Sequence, residues 1–178
     1  MPRPIPQLSD AALRELRLVF YEEDVEQIDA TLAEFLTRSK SKAAMLVDMD
    51  GHLITQQGST EKVDTDTISA LTAGCFAATR EMARILGEEE FSALFHQGRR
   101  DNLQLSLVGQ RTILAVLFDD ATTIGMVRLY SAEAGRKLTS LFRKIAGRGN
   151  GPHPSGQDIG SGYREAAATT LEDVFGGD

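Results

Sequence analysis

The sequence is poor in the residues that define several classes of protein. It has one cysteine and no tryptophan, and no apolar run approaches the length of a membrane span. A single cysteine makes no internal disulfide and no zinc site, and the N-terminus lacks a charged-then-apolar signal pattern. Basic side chains are also scarce, with 19 against 26 acidic ones and a net charge of −7. These shortages predict a cytoplasmic protein without membrane insertion, and they argue against nucleic acid as its main partner.

Motifs for catalysis and nucleotide binding are missing as well. The chain has no Gly-x-x-x-x-Gly-Lys-[Ser/Thr] loop and no Gly-x-Ser-x-Gly nucleophile elbow. No two of the histidines, His52, His96 and His153, have metal-ligand spacing. Cys75 falls on the apolar side of a predicted helix, which is typical of a buried side chain rather than of a nucleophile. We therefore predict no catalytic residue, no metal site, no cofactor and no enzymatic activity of its own.

Proline is confined to the two ends of the chain. All five prolines precede Gln7 or follow Gly151, and half of the 16 glycines lie from Gly147 onward. Proline interrupts helices and strands and glycine raises chain entropy, so this distribution predicts a folded centre with irregular ends. We divide the chain into an N-terminal extension (1–21), one domain (22–146), a flexible linker (147–162) and a short C-terminal amphipathic helix (163–175).

Hydrophobic periodicity divides the domain into three helices and five strands. The sequence predicts helices over 23–38, 64–86 and 123–146, and strands over 43–47, 52–56, 92–97, 103–108 and 112–118. Asp50-Gly51 between the first two strands is a strong hairpin signal, because glycine accepts a positive φ without steric cost. The order α-β-β-α-β-β-β-α predicts an α+β fold in which helices pack on a mostly antiparallel five-stranded sheet.

The two faces of the second predicted helix are assigned different roles. The apolar row Ile68, Leu71, Cys75, Ala78, Met82 and Ile85 is interpreted as the side that packs into the core. The opposite side is interpreted as a partner-binding surface, because small side chains let another backbone approach closely. Alanine there also fits simple helix propensity, but a mid-helix glycine costs about 1 kcal/mol relative to alanine. The predicted binding residues are Ala70, Ala73, Gly74, Phe76, Ala77 and Arg80.

The second strand, His52–Gln56, is predicted to lie at an edge of the sheet. It contains no Lys, Arg or Pro that would protect an exposed edge. We therefore predict that it pairs with the same strand of a second copy, which gives a homodimer with a continuous sheet. The predicted interface residues are His52, Leu53, Ile54, Thr55 and Gln56.

The C-terminal segment repeats apolar residues at helical spacing after the predicted linker. Tyr163, Leu171, Val174 and Phe175 belong to this repeat, and acidic residues occupy the other side. A segment of about 13 residues is marginal as an isolated helix. The pattern therefore predicts a short amphipathic helix that folds when it binds a partner.

The order of the elements and several short stretches resemble the Roadblock (dynein light chain) family, and within it the bacterial MglB-like branch. The resemblance covers about residues 19–146. Its matching stretches include Leu46-Val47-Asp48 to Gly51, Leu71-Thr72-Ala73-Gly74, Phe95-His96-Gln97-Gly98 and Gly125-Met126-Val127-Arg128-Leu129. The chain departs from the family by a longer N-terminal extension and by Cys75-Phe76 after the helix glycine.

The resemblance implies a homodimer built by pairing of the second strands, with the two central helices side by side. It also implies activation of a small Ras-like GTPase of the MglA type, which controls cell polarity and gliding motility in bacteria. The activator would remodel the switch regions of the GTPase without inserting an arginine, and the C-terminal segment would add a contact. This implies a cytoplasmic protein that acts at a cell pole. A scaffold that binds a GTPase or another polarity protein without accelerating hydrolysis is the alternative.

Overall fold

The computed structural model describes residues 20–61 and 63–149. Within them the predicted order of three helices and five strands is confirmed. The elements are α1 (Glu22–Ser39), β1 (Ala43–Asp48), β2 (Leu53–Gly58), α2 (Thr65–Leu86), β3 (Ala93–His96), β4 (Asn102–Val108), β5 (Thr112–Phe118) and α3 (Ile124–Gly149).

The largest difference from the predicted boundaries lies at the end of the last helix. α3 continues to Gly149, so the first three residues assigned to the linker are helical. The remainder of the predicted linker, the C-terminal amphipathic helix and residues 1–19 lie outside the described residues. No helix in the described ranges is long and apolar enough to cross a membrane.

The five strands form one antiparallel sheet in the order β2-β1-β5-β4-β3. β1 and β5 therefore lie in the middle, and β2 and β3 form the two edges. The predicted edge position of the second strand is confirmed. This strand begins at Leu53, so His52 belongs to the preceding turn.

Helices cover the sheet on both faces. Along β1, Ala44 and Leu46 pack against α1 and α3, whereas Met45 and Val47 pack on the side of α2. Because neighbouring strand residues point to opposite faces, a central strand covered on both sides needs apolar residues at every position. This is why β1 and β5 appear in the sequence as uninterrupted apolar runs.

A buried carboxylate joins the beginning of α1 to the end of α3. The Asp24 side chain is fully buried. Its Oδ2 accepts a hydrogen bond from the Tyr21 backbone amide at 3.0 Å, and its Oδ1 forms an ion pair with Arg148. The first contact caps α1, and the second compensates a charge that would otherwise be costly to bury.

We expect Asp24→Ala to lower the free energy of unfolding by about 2 kcal/mol, because it removes the cap and leaves Arg148 without its partner. Urea unfolding followed by circular dichroism measures the change. Glu26→Ala removes an exposed carboxylate from the same helix and should change stability by less than about 0.5 kcal/mol. Equal losses in the two variants would contradict the assignment of Asp24 to this joint.

Candidate partner-binding surface

Both ends of α2 are set by side-chain or backbone signals in the sequence. Asp64 caps the N-terminus: its Oδ1 accepts from the Thr67 amide at 3.0 Å, and its Oδ2 accepts from the Thr67 hydroxyl at 2.7 Å. These hydrogen bonds, led by the one from the amide, lower the pKa of the Asp64 carboxyl below its ordinary value. Gly87 ends the helix in the left-handed conformation, with φ +76°.

The side of α2 that faces the sheet is not the predicted core row. The buried residues of the helix are Ser69, Thr72, Ala73, Phe76, Thr79 and Ala83. In the row predicted to be buried, Leu71, Met82 and Ile85 are instead 59%, 50% and 71% exposed. The prediction was wrong because both rows have helical spacing, and the row with the larger apolar side chains is the one that does not face the sheet.

Small side chains are what the contact with the sheet requires. The Ser69 hydroxyl donates to the Thr65 carbonyl at 2.7 Å, so it is satisfied within the helix and needs no water. Gly51, in the β1–β2 turn, has φ +90°, and a Cβ on it would lie 3.0 Å from the Ala70 Cα. The helix and the turn thus approach each other at backbone distance, where longer side chains would not fit.

The structure separates the predicted partner-binding residues into two groups. Ala70, Gly74, Ala77 and Arg80 are exposed along α2. Ala73 is only 9% exposed and Phe76 only 3% exposed. Phe76 packs with the buried residues of the sheet under α2. The assignment of Ala73 and Phe76 to a partner-binding surface was therefore wrong, because these two side chains face the sheet.

Two rows of α2 remain exposed. We call the first the small-residue surface (Ala70, Gly74 and Ala77) and the second the apolar row (Leu71, Ala78, Met82 and Ile85). Sequence reasoning missed the second row as a surface, although its spacing carried a signal. Together with Ile68 and Cys75, it alternates steps of three and four residues, which is the spacing of helices that pack along another helix. Exposed apolar patches of this kind are typical of interaction sites.

The charged side chains at this helix have contacts of their own. Arg84 Nε lies 3.1 Å from each carboxylate oxygen of Glu81. The hydrogen bond from Arg84 lowers the pKa of the Glu81 carboxyl. Arg80 Nη2 lies 4.0 Å from the sulfur of Met49. The small-residue surface and the apolar row are therefore bordered by charged residues but contain none.

The residues of the predicted dimer interface lie at the β2 edge. Leu53 and Ile54 are half-buried, and His52 is exposed in the turn with its Nδ1 3.1 Å from Asp48 Oδ2. Thr55 donates its hydroxyl to Asp29 Oδ1 at 2.6 Å, so it also joins β2 to α1. Gln56 Oε1 is buried without a hydrogen-bond partner in the described part of the chain. An unpaired buried acceptor costs about 1–3 kcal/mol, so Gln56 reduces the stability of this edge of the single chain.

Comparison with known proteins identifies the family. The profile of the Roadblock/LC7 domain matches residues 27–118. The chain belongs to the Roadblock/LC7 family. The solved structure of Myxococcus xanthus MglB is 39% identical, with a TM-score of 0.68 over 72% of this chain and 96% of that one. The gliding protein MglB of Thermus thermophilus is 29% identical, with a TM-score of 0.67 over 71% and 96% of the two chains.

A third solved structure bears on assembly. It is described as MglB with a tetrameric arrangement and is 28% identical to this Roadblock chain, with a TM-score of 0.68 over 72% of this chain and 96% of that one. The α+β architecture is thus that of the MglB structures, over 71–72% of this chain.

One polar cluster of the Roadblock domain resembles a cation site but is explained by its turn. Carboxylate and imidazole atoms of Asp48, Asp50 and His52 lie within 4.8 Å of one another. Asp48 Oδ1 accepts hydrogen bonds at 2.9 Å from the backbone amides of both Asp50 and His52. This is the bonding of an aspartate-stabilised turn, and it gives the cluster a structural role in the β1–β2 connection.

We expect Gly74→Ala to raise the free energy of unfolding by about 0.5–1 kcal/mol, because a methyl group there meets no atom within 4 Å and alanine favours the helix. Thermal and urea unfolding measure the gain. The matched change Gly51→Ala should destabilise the protein, since Gly51 has a positive φ and no space for a Cβ. A loss of stability in Gly74→Ala would mean that Gly74 contacts something within the protein.

Proposed function

We propose that this Roadblock protein is a homodimeric activator of GTP hydrolysis by a small Ras-like GTPase of the MglA type, with a role in bacterial cell polarity and motility. The observation that carries the proposal is the exposed, uncharged side of α2. It combines the small-residue surface with the apolar row on a rigid helix, in a chain 39% identical to Myxococcus xanthus MglB. Such a side of the helix suits two contacts, one with a second copy of this chain along the apolar row and one with the GTPase on the small-residue surface.

The proposed mechanism is selection of one conformation of the GTPase. The candidate surface offers shape and apolar contact rather than a reactive group, and Arg84 is already paired with Glu81. A surface that binds one switch arrangement more tightly shifts the population toward it by the difference in binding free energy. In that arrangement the GTPase aligns its own arginine and its own water-orienting residue for hydrolysis. This chain therefore inserts no arginine.

A second copy would complete the surface. β2 is an edge strand, and α2 packs on one face of β2 and β1. If two β2 strands pair about a two-fold axis perpendicular to the sheet, both copies of α2 lie on the same face. Their apolar rows can then pack against each other, while the small-residue surfaces form one platform.

The C-terminal segment, residues 163–175, is proposed to add a second contact with the GTPase. Its apolar residues Tyr163, Leu171, Val174 and Phe175 follow a chain segment rich in proline and glycine. A tethered second contact raises affinity through effective concentration and requires no catalytic group. Such a segment would strengthen binding and leave the chemistry to the partner.

The first test is single-turnover GTP hydrolysis by the Ras-like GTPase of the same organism, with and without this protein. We expect acceleration, and we expect Ala77→Arg to weaken binding at least about tenfold, because it places a long charged side chain in the small-residue surface. Ala33→Arg, at an exposed position of α1, is the matched control. Ala73, which is buried, is unsuitable for this test.

The outcomes separate the candidate functions. Binding without acceleration would favour the non-activating scaffold. The absence of any interaction would contradict the GTPase partnership. Equal effects of Ala77→Arg and Ala33→Arg would place the docking surface elsewhere on the molecule.

The dimer is tested with Met82→Glu, which introduces a charge into the apolar row. We expect light scattering after gel filtration to show a monomer, because two carboxylates would be brought together in an apolar contact. Met126→Glu replaces another exposed methionine, on α3, and should leave the mass unchanged. Thr55 is a less suitable position, since its hydroxyl also bonds to Asp29 within the protomer. A dimer that persists in Met82→Glu would exclude the apolar row from the interface.

A further inference from the structure

The last helix is strongly basic in an acidic protein. α3 contains six basic side chains and one acidic one, a net charge of +5, whereas the whole chain has −7. Two of the six are used in contacts with α1: Lys137 Nζ lies 2.8 Å from Glu34 Oε2, and Arg148 pairs with Asp24. The remaining four are Arg128, Arg136, Arg143 and Lys144.

These four side chains are exposed and form no ion pair with any residue of 20–61 or 63–149. Leu129, Arg136 and Arg143 follow one another at steps of seven residues, so they lie on one stripe of the helix. Leu129 is 60% exposed, and the neighbouring Met126 is 41% exposed. We call this stripe, with its flanking cations, the basic face of α3.

The chain that follows α3 has the complementary charge. Residues 150–178 contain five acidic side chains and one arginine, a net charge of −4. Within them, residues 163–175 contain Glu165, Glu172 and Asp173 against Arg164, a net charge of −2, together with apolar residues at helical spacing. An acidic amphipathic segment fits a basic helix face that also exposes a leucine and a methionine, since both the charges and the apolar groups find partners.

The distances permit the contact within one chain. From Gly149 back to Leu129, α3 is about 30 Å long. The 13 residues from 150 to 162 can span up to about 43 Å, so residue 163 can reach any part of the basic face. A short tether also gives the segment a millimolar effective concentration, which makes weak charge pairs sufficient for docking.

We propose that residues 163–175 dock on the basic face of α3 when no other partner binds them. The basic face lies on the side of the sheet opposite to α2, so docking holds the segment away from the small-residue surface and the apolar row. A partner that needs the segment must compete with this contact, and its apparent affinity is its intrinsic affinity multiplied by the fraction of undocked segment. The contact itself is a property of this protein alone and is tested without any GTPase.

The test is amide hydrogen exchange of the full-length protein, measured by mass spectrometry at low ionic strength. We expect peptides within 163–175 to exchange about tenfold more slowly than the same segment as a free synthetic peptide. Arg136→Glu/Arg143→Glu should remove this protection, and so should about 0.5 M NaCl, because salt screens exposed charge pairs. Circular dichroism verifies that the variant is folded, and Arg136→Gln/Arg143→Gln is a milder second variant.

The matched control is Arg99→Glu/Arg100→Glu, which changes the net charge equally at two exposed arginines of the β3–β4 loop. Protection should survive in this control. Adding Glu165→Arg/Glu172→Arg to the Arg136→Glu/Arg143→Glu variant should restore the protection, because the two surfaces then carry opposite charges again. An unprotected segment in the wild type, or protection that persists in Arg136→Glu/Arg143→Glu, would overturn the proposal. If the segment is unprotected and the basic face binds phosphatidylserine vesicles, the proposal is also overturned, and the face is assigned to a membrane instead.

Discussion

The structure depends on covering a five-stranded sheet on both faces with the three helices of residues 20–61 and 63–149. Two helices cover one face, and α2 alone covers part of the other, over β2, β1 and β5. To bury the central strands with a single helix, α2 must lie close to the sheet, and its contact side is accordingly built from Ala, Ser and Thr around Phe76. The close approach uses the small residues on one side of the helix and leaves the larger apolar ones, Leu71, Met82 and Ile85, exposed.

Local signals were sufficient to predict the elements and their order. The uninterrupted apolar runs of β1 and β5 and the hairpin at Asp50-Gly51 are recognisable from neighbouring residues. The rotation of α2 about its axis was not predictable in this way. Hydrophobicity alone favoured the row with Leu71 and Met82, whereas the buried row is selected by how closely the backbone of the helix approaches the β1–β2 turn.

The same limit applies to the candidate site. Sequence reasoning found the exposed Ala70, Gly74 and Ala77 but joined them to Ala73 and Phe76, which the rotation of the helix places against the sheet. Contacts between distant parts of the chain were also not predicted from the sequence. They include the ion pair of Asp24 with Arg148 and the contact of the Arg38 guanidinium with the Tyr130 ring, 4.7 Å from its centroid. Such pairs join residues about 90 to 125 positions apart, where no local pattern connects them.

The joint between α1 and α3 also determines where the ends of the domain meet. Asp24 lies in the first turn of α1 and Arg148 in the last turn of α3, so the chain enters and leaves the folded domain at one corner. Domains whose ends are adjacent tolerate circular permutation, since a short link can close the old termini while a surface turn is opened. In this domain the β3–β4 loop at Arg99-Arg100, far along the chain from both helices of the joint, offers such a place. The order in which the elements are connected is therefore separable from the architecture that they form.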